Sequence, residues 1–218
     1  MNEQLVFELP LRVDATYANY RGSAGARLRQ LAPLTSIVSG LAGSGKTHLL
    51  QAACHDAESQ GKECIYLDLR QPLEASIFKS LDQFPVIAVD HLDAVVGDRD
   101  WELAIFDLMN AVQDSSDSWL LLALVKHPRQ VKFCLNDLAS RCRSAMLIVT
   151  DQLDDGEKVK LLQTTAQQQG FCLPEEVARF MINRMPRDLP HLLENMKLLA
   201  SESLRRHRLV TIPFVKET

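Results

Sequence analysis

The segment Gly40-Leu-Ala-Gly-Ser-Gly-Lys46-Thr47 constrains this chain more than any other, because it fits the spacing G-x-x-x-x-G-K-[ST]. Ahead of it, Thr35 to Ser39 (TSIVS) reads as a buried strand. Behind it, Thr47 to Gln60 places Leu49, Leu50, Ala53 and Ala57 at helical spacing, and Gly61 ends the run. A strand, a glycine-rich loop and a helix in that order make a phosphate cradle. The glycines let successive N–H groups face phosphate oxygens, and the positive end of the helix adds to them. On that chemistry Gly40, Gly43, Ser44 and Gly45 line the cradle, Lys46 reaches the β- and γ-phosphates, and the Thr47 hydroxyl ligates Mg²⁺. Roughly forty residues later the apolar run Pro85 to Asp90 (PVIAVD) closes on an aspartate. Asp90 stands where a second Mg²⁺ ligand, acting through water, belongs. The competing reading, a chance glycine-rich turn, does not account for the strand and helix on either side.

The rest of the chain alternates in the same way. Cys64 to Leu69, Pro85 to Asp90, Trp119 to Val125 and Ala145 to Val149 read as further short buried strands. Trp101 to Gln113 is an amphipathic helix with Trp101, Ala104, Ile105, Leu108 and Val112 on one face. Short apolar strands separated by helices imply an α/β fold, a parallel sheet covered on both faces. Before the first strand, Gly22 to Gly25 reads as a loop and Ala26 to Leu31 as a short helix. After Thr150 the pattern changes: Asp154 to Arg206 shows three helical stretches, broken at Gly170 to Pro174 and Pro186 to Pro190. Leu209 to Phe214 reads as a short edge strand. The expected layout is a tail over 1–20, an α/β nucleotide-binding core over 21–152 and a helical lid over 153–218.

Composition removes several function classes. The net charge of −4 argues against a protein that coats nucleic acid by itself. Five cysteines with no C-x-x-C spacing argue against a disulfide framework or a zinc site and for reduced thiols. No basic-then-apolar leader opens the chain, and the most apolar run, Trp119 to Val125, is too short to span a bilayer. A cytoplasmic protein is expected. Arg205, Arg206, His207 and Arg208 form a basic run that is more often a solvated helix end than a DNA contact.

Together these residues resemble the AAA+ family and, within it, the bacterial replication initiator DnaA and the shorter Hda-type regulators. The resemblance rests on Gln4-Leu-Val-Phe-Glu-Leu9, Asp14-Ala-Thr-Tyr-Ala-Asn-Tyr20, Gly45-Lys-Thr-His-Leu-Leu50, Trp101-Glu-Leu-Ala-Ile-Phe-Asp-Leu108, Asp137-Leu-Ala-Ser-Arg141, Gly170-Phe-Cys-Leu-Pro-Glu175 and Thr211-Ile-Pro-Phe-Val-Lys-Glu217. It implies an AAA+ core with a helical lid, bound adenine nucleotide (ADP or ATP) with Mg²⁺, and a homodimer. It also implies docking on the DNA polymerase III sliding clamp and stimulation of ATP hydrolysis by DnaA near the nucleoid. Gln4, Leu5, Phe7 and Leu9 match the clamp-binding peptide, which places Leu and Phe in an apolar groove and a Gln amide in a polar pocket. Arg141 matches the arginine finger, supplied here in trans to DnaA, with Arg143 a nearby competitor. Tyr17 and Tyr20 match the stretch that lines adenine, and core packing accounts for them equally well. A DnaA continues into a helix-turn-helix domain, so sequence-specific DNA reading is not expected from a chain that stops at Thr218.

Three positions depart from a hydrolysing AAA+ protein. The residue after Asp90, usually acidic, is His91; Asp93 follows two residues later. The fourth strand stays apolar through Leu122-Ala-Leu-Val125 until Lys126, where a polar sensor belongs. In the lid, Pro190 takes the place of the sensor arginine, with Arg187 three residues earlier as the candidate substitute. The expectation is nucleotide binding with little intrinsic hydrolysis and a preference for ADP. An AAA+ ATPase of the helicase-loader type is the alternative. A small-molecule P-loop kinase is disfavoured, because kinase lids carry their own arginine clusters.

Overall fold

The computed structural model describes residues 11–31, 35–79, 81–115, 118–185 and 189–217. The chain divides into two units. The first includes Gly45–Asp151 and the second begins at Gln152, with the loop tip Ala42–Ser44 grouped with the second.

Among the described residues the first unit holds five parallel strands: β1 (Ser36–Ser39), β2 (Cys64–Asp68), β3 (Val86–Asp90), β4 (Trp119–Leu124) and β5 (Met146–Val149). They lie in the order β2-β3-β4-β1-β5. The expected parallel sheet is therefore present. The α-helices that accompany it are α1 (Ser23–Arg29), α2 (Lys46–Ser59), α3 (Arg99–Asp114) and α4 (Asn136–Ser144). Each buries apolar side chains in one of the two cores of this unit. On α3 these are Ile105, Leu108, Met109 and Val112, and Asp98 caps the helix by accepting from the amides of Asp100 and Trp101.

Alternation along the strands sorts side chains between two cores. Ile37, Leu67, Ile87, Val89, Leu120, Leu122 and Leu124 meet α3 and α4 residues such as Ile105 and Leu138. Val38, Tyr66, Ala88, Leu121 and Ala123 meet Leu28 of α1 and Leu49, Leu50 and Ala53 of α2 on the other face. Ala88 and Ala123 are small, so α2 lies close over the middle of the sheet. Burying one such Leu or Ile is worth about 1.5–3 kcal/mol. The edge strand β5 is less covered, and Met146 and Val149 are exposed.

The second unit holds α5 (Asp155–Gln168), α6 (Glu175–Arg184), α7 (Leu189–Arg206) and α8 (Ile212–Glu217). Asp154 and Glu157 form a reciprocal cap at the start of α5, at 2.7 and 2.9 Å. Leu162, Val177, Met181, Leu192, Met196 and Phe214 share its core.

Two local expectations are corrected. Leu209 to Phe214 is no strand: the helix α8 starts at Ile212. Thr211 caps it by accepting from the Phe214 amide, and Pro213 sits in the first turn, where a missing N–H costs nothing. The helix α1 begins at Ser23 rather than Ala26, so part of the expected loop is helical.

Candidate functional site

The loop between β1 and α2 is shaped by glycine. Gly43 and Gly45 have φ of 75° and 90°, conformations that L residues seldom take. Space is equally decisive at Gly45, where a Cβ would stand 2.8 Å from Cε2 of Tyr20. The helix α2 then opens at Lys46 with no side chain on its first amides. Free N–H groups at a helix start form an anion site. Lys46 is 7% exposed and its ammonium donates to the carbonyls of Gly40 at 2.6 Å and Leu41 at 2.9 Å. Burial lowers its pKa, opposed by the charges of Asp90 and Asp93. An ammonium short of water and held only by neutral carbonyls is well suited to a phosphate.

Asp90 ends β3 and is fully buried. Its Oδ2 accepts from the hydroxyls of Thr47 at 2.6 Å and Tyr66 at 2.9 Å, and its Oδ1 accepts from the His91 amide at 2.8 Å. Because the Thr47 proton is committed to Asp90, the lone pairs of that oxygen remain for a cation. Two hard oxygen groups brought together beside a phosphate loop suit Mg²⁺, which takes few protein ligands and keeps water. The residues present therefore fit a magnesium nucleotide, which Gly40, Gly43, Ser44, Gly45, Lys46, Thr47 and Asp90 would hold. When bound, the ion would neutralise charge between the β- and γ-phosphates.

The groups beyond Asp90 are spent on structure. His91 has φ of 57°, and its Nδ1 lies 3.1 Å from Asp68 Oδ1 and 3.4 Å from Asp90 Oδ1, without hydrogen-bond alignment. Asp68, the register partner of Asp90, is held by Arg70 at 2.6 Å. Burial opposes the Asp68 charge, but the hydrogen bonds from Arg70 outweigh it and hold the carboxyl below its usual range. Asp93 accepts from the Val125 amide at 2.7 Å, which ties the end of β4 to the β3 loop. Lys126 is exposed. Pro190 lies in the first turn of α7.

Arg141 lies on α4, half-buried, and donates to Gln113 near the end of α3. Arg143 is exposed. The loop before α4 is fixed by Glu102, a carboxylate 1% exposed that accepts from the amides of Gly97, Cys134 and Leu135 at 2.8, 3.1 and 2.7 Å. Burial works against its charge and those amides outweigh it, so its pKa falls below the ordinary value.

The two tyrosines part company. The Tyr20 ring lies against Gly45 and Gly25, within the space a Cβ would need, and 5.6 Å from the His48 ring. Burial, then Asp151, pushes its hydroxyl up to about 12. Tyr17 lies under Arg29 at 5.9 Å, its hydroxyl buried without a hydrogen-bond partner. Tyr20 thus touches the phosphate loop, whereas Tyr17 packs on the α1–α2 core. Gln4, Leu5, Phe7, Leu9 and Arg187 lie outside the described residues. Sequence reasoning missed Gln51, Tyr66 and Glu102, buried polar groups with partners distant in the chain, and Asp68, which is held by nearby Arg70. The alternation of β2 could have placed Tyr66 on the α2 face.

Comparison with known proteins agrees with this geometry. The family model "Hda, lid domain" matches residues 155–218. An uncharacterised protein of Haemophilus influenzae is 36% identical over 227 aligned positions, covering 100% of this chain and 98% of its own. Domain III of the replication initiation protein DnaA of Thermotoga maritima superposes with a TM-score of 0.79 at 16% identity, covering 94% of this chain and 95% of that one. AMPPCP-bound DnaA from Aquifex aeolicus gives 0.70 at 20% identity, covering 90% of this chain and 70% of that one. Among the described residues no helix is long and apolar enough to cross a membrane. The chain therefore belongs to one family with the Haemophilus influenzae protein, matched over nearly the whole of both, and joins a segment that matches the Hda lid model to a core with the fold of domain III of DnaA.

Proposed function

We propose that this protein is a regulator of replication initiation. It binds adenine nucleotide with Mg²⁺, docks on the DNA polymerase III sliding clamp through Gln4, Leu5, Phe7 and Leu9, and stimulates ATP hydrolysis by DnaA in trans through Arg141. It works in the cytoplasm at the nucleoid, as a homodimer of chains with a core over 21–152 and a lid over 153–218. One observation carries the reading: a complete diphosphate grip at Lys46, Thr47 and Asp90 stands beside acids that are already committed elsewhere, Asp93 to Val125 and Asp68 to Arg70. Such a site holds nucleotide and lacks a free carboxylate to orient water, so the chain itself turns over slowly. Its contribution to hydrolysis is then a guanidinium offered to another protein's nucleotide. The AMPPCP bound by a DnaA of the same fold supports an adenine nucleotide here.

The test is a mixture of ATP-loaded DnaA, clamp loaded on DNA and this protein, followed by the ADP formed on DnaA. Wild-type protein accelerates conversion, Arg141→Ala does not, and Arg143→Ala retains activity. Conversion that proceeds normally with Arg141→Ala rejects the assignment. Turnover of ATP by the protein alone at several per minute or faster rejects the regulatory reading in favour of an autonomous ATPase.

A further inference from the structure

The helix α2 does more than follow the phosphate loop. His48, Gln51 and His55 stand at i, i+3 and i+7 on one face of it, and each binds the main chain of the segment before the sheet. His55 Nε2 lies 3.0 Å from the Arg12 carbonyl, and the Arg12 amide donates to Gln51 Oε1 at 3.2 Å. His48 Nε2 lies 2.8 Å from the Thr16 carbonyl. A carbonyl can only accept, so this ring nitrogen carries the proton and donates. The same carbonyl accepts from the amides of Asn19 and Tyr20, each at 3.1 Å. Those two bonds close a turn, and the turn sets the Tyr20 ring against Gly45 of the phosphate loop. The His48 ring also packs beside that of Tyr20, with centroids 5.6 Å apart and planes tilted by 54°. His48 therefore holds the turn at both ends, by a hydrogen bond to Thr16 and by ring contact with Tyr20, from a place just after Lys46 and Thr47.

We propose that His48 is a positioning residue for the base end of the nucleotide site, fastening the turn over 16–20 to the first turn of α2 so that Tyr20 stands ready beside the phosphate loop. This rests on the reading of the loop as a nucleotide site with Tyr20 on its adenine side. The loop amides and Lys46 hold a diphosphate whether or not the turn is seated. A base gains from Tyr20 only if the ring is already in place, because ordering the ring and its turn on binding would take back part of the contact energy. The bond from His48 orders them beforehand. His48 thus bears on recognition of the nucleoside, whereas its neighbour Lys46 bears on the diphosphate.

The experiment compares ADP with inorganic pyrophosphate, both with Mg²⁺, in calorimetric titrations of wild type, His48→Leu, His48→Asn and His48→Gln. Wild type binds ADP more tightly than pyrophosphate. His48→Leu keeps apolar bulk but cannot donate, and it weakens ADP about tenfold while pyrophosphate binds as to wild type. His48→Asn, whose amide is too short to reach Thr16, behaves in the same way. His48→Gln carries an N–H at nearly the reach of Nε2 and recovers most of the loss. Hydrogen exchange at the Tyr20 amide follows the same order, faster in His48→Leu and His48→Asn and near wild type in His48→Gln. The proposal is overturned if His48→Leu and His48→Asn bind ADP as tightly as wild type, if ADP and pyrophosphate weaken together, if His48→Gln loses as much as His48→Leu, or if exchange at Tyr20 is the same in all four proteins. Wild-type protein that binds neither ligand sinks the nucleotide reading instead, and wild-type protein that binds the two equally sinks the adenine-side assignment of Tyr20, so these failures stand apart from that of His48.

Discussion

The two ends of the candidate nucleotide site differ in how their polar groups are employed. At the diphosphate end, Lys46 is held only by loop carbonyls and Thr47 has a lone pair to offer, so both can transfer to a ligand. At the γ-phosphate end the nearby acids are already engaged, Asp93 with the Val125 amide and Asp68 with Arg70, while His91 is bent into the left-handed region beside Asp68 without a hydrogen bond at Nδ1. A group that has a strong internal partner must give it up before it can act on a substrate. On the proposed reading, binding and hydrolysis are thereby separable along one loop cluster.

Four substitutions break or sharpen that contrast. The largest effect is expected from Arg141→Ala, which removes transition-state charge from a site in another protein and lowers DnaA inactivation by about 10³-fold. ADP binding and the melting temperature of the isolated protein stay unchanged. Next comes Lys46→Ala at the diphosphate end, expected to weaken ADP by about a hundredfold in a calorimetric titration. Should Lys46→Ala bind as tightly as wild type, the intact end of the site is not a nucleotide grip.

The third is Glu102→Gln, expected to lower stability by about 1.5–3 kcal/mol in urea unfolding, since buried amides lose a charged acceptor. It carries a pH signature. The folded-state pKa of Glu102 is lowered, so its stabilisation is present above the unfolded-state value and is lost as pH falls through the folded-state value. The wild-type urea midpoint therefore drops on acidification below the ordinary carboxylate range, and the Glu102→Gln protein lacks that component. The smallest effect is expected from His91→Gly. It relieves a left-handed residue at φ of 57° while discarding the approach to Asp68, giving a gain of at most about 1 kcal/mol. A clear loss of stability instead would mean that the His91–Asp68 pair holds the γ end in shape.

Legibility differed between local and distant relations. The phosphate loop was readable because its chemistry lies in consecutive residues, and the five strands because each is an apolar run between breaks. All five were placed to within about a residue of where they lie. The α8 segment misled because Leu209 to Phe214 alternates like a strand, whereas a Thr cap and a first-turn proline make it helical. The helix α4 was not assigned at all; its few apolar residues, Leu138, Ala139 and Cys142, are too sparse for a pattern without the α3 face they cover. Tyr17 and Tyr20 looked alike in the chain, and only the packing of Tyr20 on Gly45 distinguishes them.

The amino-acid order alone determined that a phosphate loop follows the first strand, that an aspartate ends the third and that no acid succeeds it, because these are properties of neighbouring residues and their spacing. Tertiary structure decided which carboxylates are committed and which are available, that Tyr66 lies behind Asp90, and that Glu102 sets the loop before Arg141. A buried polar group is stable only beside a partner of opposite hydrogen-bonding sense, and those partners come from strands and helices far apart in sequence, so their meeting exists only once the sheet has formed.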